Sequence, residues 1–172
     1  TSLQVFSRNQ TPLNTLIASC ATQIITDIRG FDKTLDLVII ATSDHSIEQV
    51  AKQVNPSLPL VHTSGSVSTS VLKNNSNYGS FYPLQTLTID QANSEVEIPI
   101  LIEASNEKFE KKLEALAYTI SQNVSTCSSE NRKKLHLAAV IVNNFTNHLY
   151  SKAEQFCSEA GINFDLLKPL IS

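Results

Sequence analysis

Four groups of residues in this chain have the types and spacing to do chemistry, three of them directly after short apolar runs. Ser7-Arg8-Asn9 follows Leu3-Gln4-Val5-Phe6. An arginine closing a strand can hold a phosphate through charge-assisted hydrogen bonds, and beside an adenosine ribose it would take a 2′-phosphate, favouring NADP over NAD. A solvated loop arginine has the same signature. Ala41-Thr42-Ser43-Asp44 closes the next strong apolar run. Its small side chains let a ligand approach the backbone, while Ser43 or Asp44 caps the following helix; capping alone accounts for the pattern. His62-Thr63-Ser64-Gly65-Ser66 is the densest polar cluster at any strand end, with Gly65 permitting a tight turn, although an ordinary Ser/Thr turn has this composition too.

The fourth group lies on a long helical pattern. At 100° per residue, His136, Asn143, Asn147 and Tyr150 fall within about 40° of one direction, apart from an apolar line of Leu135, Ala138, Val142, Leu149 and Ala153. Leu137 to Val142 is apolar on every side, so the segment is expected to be enclosed, and enclosed polar groups need partners. His136 and Asn143 thus read either as a proton donor and a substrate-fixing amide or as a structural histidine and a packing asparagine. A hydrolase reading of Ser64 fails at the motif, since G-x-S-x-G would need glycine where His62 and Ser66 stand. Gly30, Gly65, Gly79 and Gly161 form neither G-x-G-x-x-G nor a P-loop, and no His/carboxylate spacing would hold a metal.

The chain has 172 residues and 18.9 kDa, enough for one domain of ordinary size or one domain and part of another. Apolar residues make up 41% and charged residues 17%, and 13 basic against 16 acidic side chains give a net charge of −3, which excludes disorder and a general nucleic-acid binder. No apolar run approaches the ~20 residues of a membrane span, and the first residues lack the blocks of a signal peptide. Cys20, Cys127 and Cys157 are odd in number and far apart, so neither a disulfide framework nor a C-x-x-C metal site is available. A soluble protein of the reducing cytoplasm is expected. The lack of Met, the extended opening and the apolar ending suggest a piece of a longer protein.

These groups need elements to hold them. Leu3 to Ser7, Gln23 to Asp27, Leu35 to Thr42, Leu58 to Thr63 and Ile98 to Ala104 read as buried strands of a parallel sheet, with helices over residues 11–21 and 43–54 between them. Residues 73–97 read as a long loop region at the sheet edge. A helix follows from Ser105, then a last short strand over Asn123 to Cys127. A helix of roughly thirty residues from Ser129 ends at Gly161, and another begins near Asn163. The expected fold class is α/β, a parallel sheet followed by an all-helical domain.

In this order the motifs Val5-Phe6-Ser7-Arg8-Asn9, Asp36 through Asp44, His62 through Ser66, Gly79 through Leu87 and His136 through Asn144 resemble a known family. These are the two-domain Rossmann-like oxidoreductases related to pyrroline-carboxylate reductase, ketopantoate reductase and the β-hydroxyacid dehydrogenases. The resemblance implies a dinucleotide-binding domain over residues 1–127, lacking its first strand and glycine-rich turn. It also implies an incomplete helical domain over 128–172 that forms a homodimer, with the active site in the cleft between the domains. The implied reaction is NADP-dependent hydride transfer to or from a small carbonyl or imine. Ser7, Arg8 and Asn9 would hold the adenosine phosphate, and Ala41, Thr42, Ser43, Thr63, Ser64 and Gly65 would line the route to the nicotinamide. His136 would be the proton donor and Asn143 its aid. The rival is a dimeric NADP-binding protein without catalysis. The family usually has His where this chain has Tyr82.

Overall fold

The computed structural model describes residues 3–8, 22–85 and 97–171. Strands β1 (Leu3–Val5) and β2 (Thr22–Ile24) form a parallel pair. The main sheet has the order β3 (Val38–Ile40), β4 (Leu60–His62), β5 (Tyr78–Pro83), β6 (Ile100–Ala104), β7 (Val124–Thr126). The expected helix over 11–21 lies outside the described residues. Between β3 and β4 runs α1 (Asp44–Ala51). The β3–β4 and β4–β5 ladders are parallel, so the turns after Ile40 and His62 leave the sheet at the same edge.

Val38, Ile40, Leu60 and Ile47 of α1 form one core with Leu58 and Leu72, and Phe6 and Phe31 pack against it. A second core lies under α2 (Glu107–Tyr118), capped by Asn106, whose side chain accepts the amide of Phe109 at 3.0 Å. Phe109, Leu113 and Ala117 recur at helical spacing and bury against Val61, Phe81, Ile100 and Ile102.

Two expectations about the sheet are corrected. Tyr78–Pro83 is no edge loop but the third of five strands. Its polar, Gly- and Pro-bearing sequence hides a strand buried on both faces. Gly79 is required there because a Cβ would collide with the backbone carbonyl of Glu103 on β6. The preceding Asn-rich segment turns on Asn75, which is buried and donates to the carbonyls of Asn55 (3.2 Å) and Leu58 (3.1 Å). Nor is the sheet wholly parallel. β6 runs antiparallel to β5, pairing Phe81 with Ile102, and such a neighbour needs no helical crossover.

The long helix is present. α3 (Ser129–Val140) starts at Ser128, whose side chain accepts from the Asn131 amide at 3.3 Å. A π-helical turn over Ile141–Phe145 leads into α4 (Thr146–Glu159), and Gly161, at φ +68°, ends it as expected. A 3-10 turn, Phe164–Leu167, capped by Asn163, runs into the helical turn α5 (Lys168–Ile171). The expected enclosure of Leu137 to Val142 is not found: Leu137 is 60% exposed and Val142 71%. One side of α3, that of Arg132 and His136, touches the sheet and the turn after β4. Among the described residues no helix is long and apolar enough to cross a membrane.

Candidate active site

The site begins with the two turns at the carboxyl edge of β3 and β4. Thr63 donates its amide to Ile40 O (3.2 Å), closing the ladder, and Ser64 then turns the chain. Its Oγ accepts the amides of Ser66 (3.1 Å) and Val67 (3.0 Å). Ser66 donates its hydroxyl to the Asp44 carboxylate in a very short hydrogen bond, which ties this turn to the start of α1. Burial raises the Asp44 pKa, but the hydroxyls of Ser66 and Ser64 outweigh it and bring it below the ordinary aspartate range. Ser43 occupies the N-cap position without capping through its side chain; Ser46 Oγ donates to Ser43 O at 2.8 Å instead. The negative charge at the start of α1 comes from Asp44.

Behind the turn sits Arg132, the buried residue of α3, with no exposed surface. Its Nε donates to Ser64 O (3.2 Å), Nη2 to Val67 O (2.7 Å) and Ser129 Oγ (3.1 Å), and Nη1 to Ser80 Oγ (2.8 Å) and Glu103 Oε2 (2.5 Å). One guanidinium thus binds α3 to the turn after β4 and to strands β5 and β6. Desolvation raises the Glu103 pKa, yet hydrogen bonds from Ser129 and Arg132 and the arginine's charge bring it below the ordinary glutamate range. His62 is buried against this charge; its Nδ1 accepts the Ser64 amide at 3.2 Å. Burial first, and Arg132 second, push its pKa down to about 4, so His62 is neutral.

One helical turn beyond Arg132 comes His136, set on the same face. Gly65 lies directly under its ring: a Cβ there would stand 2.6 Å from Cγ and Nδ1. Tyr82 Oη is 2.9 Å from His136 Nδ1, with the two rings edge to face. Beside this pair opens a cleft of about 320 Å³, lined by Tyr82, Leu84, Gln85 and, from the helix, His136, Val140, Asn143 and Asn144. Asn147 Nδ2 approaches Asn143 Oδ1 at 3.4 Å, and Asn143 donates to Asn144 Oδ1 at 3.2 Å, so the amides join along the cleft. The π turn carries Asn143 and Asn144 together.

The expected residues fall into three sets. His136 and Asn143 share the cleft with Tyr82. Ala41, Thr42 and Ser43 are exposed at the rim, Thr63 is half-buried, and Gly65 is buried against His136. Ser7 and Arg8 follow β1, Arg8 exposed, and Asn9 lies outside the described residues. His62 and Ser64 do not line this cleft: both are buried behind the turn, where they serve it. A serine nucleophile is unsupported, because Ser64 Oγ is engaged by two backbone amides and His136 Nδ1 by Tyr82. No described group of His, Cys, Asp and Glu could hold a metal ion. Sequence reasoning missed Arg132, Glu103, Ser80 and Ser129. The readable signal was Arg132 itself, four residues before His136 and so on the face that His136 was expected to bury.

A family model described as a domain of unknown function, DUF2520, matches residues 98–172. No curated protein matches the sequence. A solved structure from Bacteroides fragilis, provisionally assigned as an NADP oxidoreductase, is 33% identical, with TM-score 0.83 over 98% of this chain and 67% of its own. A Thermotoga maritima protein is 26% identical, with TM-score 0.71 over 92% of this chain and 62% of its own. An imine reductase from Myxococcus stipitatus, in complex with NADP+, is 15% identical, with TM-score 0.72 over 99% and 65%, and shares the fold. The chain spans about two thirds of the length of these structures.

Proposed function

The chain belongs to the Rossmann-like NADP oxidoreductases, and we propose that the cleft between its sheet and its long helix is where the whole protein moves a hydride between NADPH and a small carbonyl or imine. One observation carries this reading: the turn closing β4 touches, through Gly65, the imidazole that α3 presents, and that imidazole opens on a cleft with Asn143. A dinucleotide laid along the carboxyl edge of the strands would end beside it.

The residues present fit NADP. Arg8 lies exposed three residues past β1, where its guanidinium would take a 2′-phosphate, with Ser7 and Asn9 as its neighbours in sequence. Ala41, Thr42 and Ser43 keep the rim small, and the turn of Thr63, Ser64 and Gly65 backs His136, with the Ser64 side chain turned to its own amides. The cofactor, when bound, supplies the hydride. His136 delivers a proton to the oxygen or nitrogen that develops charge, and Asn143 orients the substrate or the imidazole.

The helical part, from about residue 128, is read as a dimerisation and substrate domain, and residues 1–127 as the dinucleotide domain. Val142, Leu149 and Phe156 recur every seven residues and are 71%, 66% and 72% exposed, a stripe that a second copy of the chain would cover. The non-catalytic rival keeps this dimer and gives His136 to packing.

Titration of the full-length protein with NADPH, NADH and a deazaflavin, followed by a screen of keto acids and cyclic imines, tests the proposal. Preference for NADPH, lost in Arg8→Gln, and turnover lost in His136→Gln with cofactor affinity retained, are the expected results. Equal loss of affinity and turnover in His136→Gln, or no turnover of any substrate, favours the rival.

A further inference from the structure

The proposed reaction leaves one cleft hydroxyl without a task. Tyr82 is 8% exposed on β5, its ring meets His136 edge-on with centroids 5.9 Å apart, and its Oη reaches Nδ1 at 2.9 Å. Gly65 presses on the Cβ, Cγ and Nδ1 edge of the imidazole, so Nε2 is the nitrogen on the far side. Burial raises the Tyr82 pKa, so the phenol keeps its proton and has a hydrogen to give. A neutral imidazole carries one N–H, and the bond made by one nitrogen decides which of the two bears it.

We infer that Tyr82 is a positioning residue for His136: its hydroxyl donates to Nδ1, which fixes the imidazole as the Nε2–H tautomer with that proton turned away from Gly65. The consequence for the reaction rests on the function proposed above; the tautomer does not. As hydride forms the new C–H bond, the π electron pair of the C=O or C=N bond moves onto oxygen or nitrogen, which takes the Nε2 proton. Nδ1 then takes the Tyr82 proton along the existing hydrogen bond. The imidazole stays neutral and the charge ends on the phenolate oxygen; the Nδ1 proton then goes back to that oxygen as water gives a proton to Nε2, which restores the Nε2–H tautomer and leaves hydroxide in the solvent. The anion formed from a carbonyl or imine is a stronger base than a phenolate, so the transfer runs downhill.

Two measurements on the full-length protein test this, with Tyr82→Phe as the variant because it removes the oxygen and keeps the ring. Nitrogen-15 NMR of the labelled protein is expected to show neutral His136 protonated at Nε2 with Nδ1 bare, and a mixture of tautomers in Tyr82→Phe. A proton on Nδ1 in the unaltered protein, or a tautomer unmoved by the substitution, overturns the inference. In steady-state kinetics Tyr82→Phe is expected to lose about 10²-fold in kcat, the lower range for a general-acid contribution, with KM for NADPH unchanged. An unaltered kcat overturns the relay. If the unaltered protein reduces no carbonyl or imine, the proposed function fails, and the NMR result still decides the tautomer.

Discussion

Arg132→Met is the most informative perturbation of the framework under the cleft. Methionine keeps much of the volume and removes all five hydrogen bonds that the guanidinium makes. Glu103, whose side chain is 24% exposed, loses its only cationic partner among the described ion pairs, while the buried Ser64 carbonyl and Ser80 hydroxyl lose a donor. Removing one member of a buried pair costs about 3–5 kcal/mol, and the partial exposure of Glu103 puts this case near the lower end. Against a total stability of about 5–15 kcal/mol that is a large loss. Urea denaturation followed by circular dichroism reads it directly: with a slope of about 2 kcal/mol/M, the midpoint falls by about 1.5 M. Glu103→Gln combined with Arg132→Met should cost less than the sum of the two single changes, with a coupling of at least about 1 kcal/mol. A midpoint shift below about 0.5 M, or strict additivity, refutes the claim that this guanidinium holds α3 to the sheet.

Other consequences follow from single contacts. Gly65→Ala places a methyl 2.6 to 2.8 Å from the His136 side chain, so the ring must move; turnover should fall by about 10² with the fold intact by circular dichroism, and wild-type turnover would contradict the contact. His62 has a folded pKa of about 4 against an ordinary 6.5. The unfolded chain therefore binds the proton first, and stability is full above pH 6.5 and declines toward pH 4, by about 3 kcal/mol in all. His62→Gln should flatten urea midpoints over that range relative to the unaltered protein, and parallel curves would show that His62 does not titrate there. Leu149→Glu with Phe156→Glu should convert a dimer to a monomer in sedimentation equilibrium, and an unchanged mass would place the dimer contact elsewhere or remove it.

Much of the fold was legible because its signals are local. Short Val/Ile/Leu runs gave β3, β4 and β6; the α2 stripe of Phe109, Leu113 and Ala117 stood at helical spacing, and Gly161 marked the end of α4 by the backbone conformation it permits. β5 was illegible for a physical reason. Gly79 lets β6 approach and Ser80 receives Arg132, and both needs come from residues more than twenty positions away. For the same reason the burial of His62 and Ser64 was not legible: nothing near them in sequence announces the arginine that buries them.

The order of polar groups after apolar strands, and the placing of His136 and Asn143 on one helical face, belong to the sequence alone, since both depend on periodicities that hold over a few residues. Tertiary structure decided which of those groups meet. Tyr82 and His136 are 54 residues apart, and Arg132 and Ser64 are 68 apart. Contacts of that separation arise only when the sheet and the long helix have packed, because hydrogen-bond direction and burial are properties of the assembled neighbours and not of any stretch of chain.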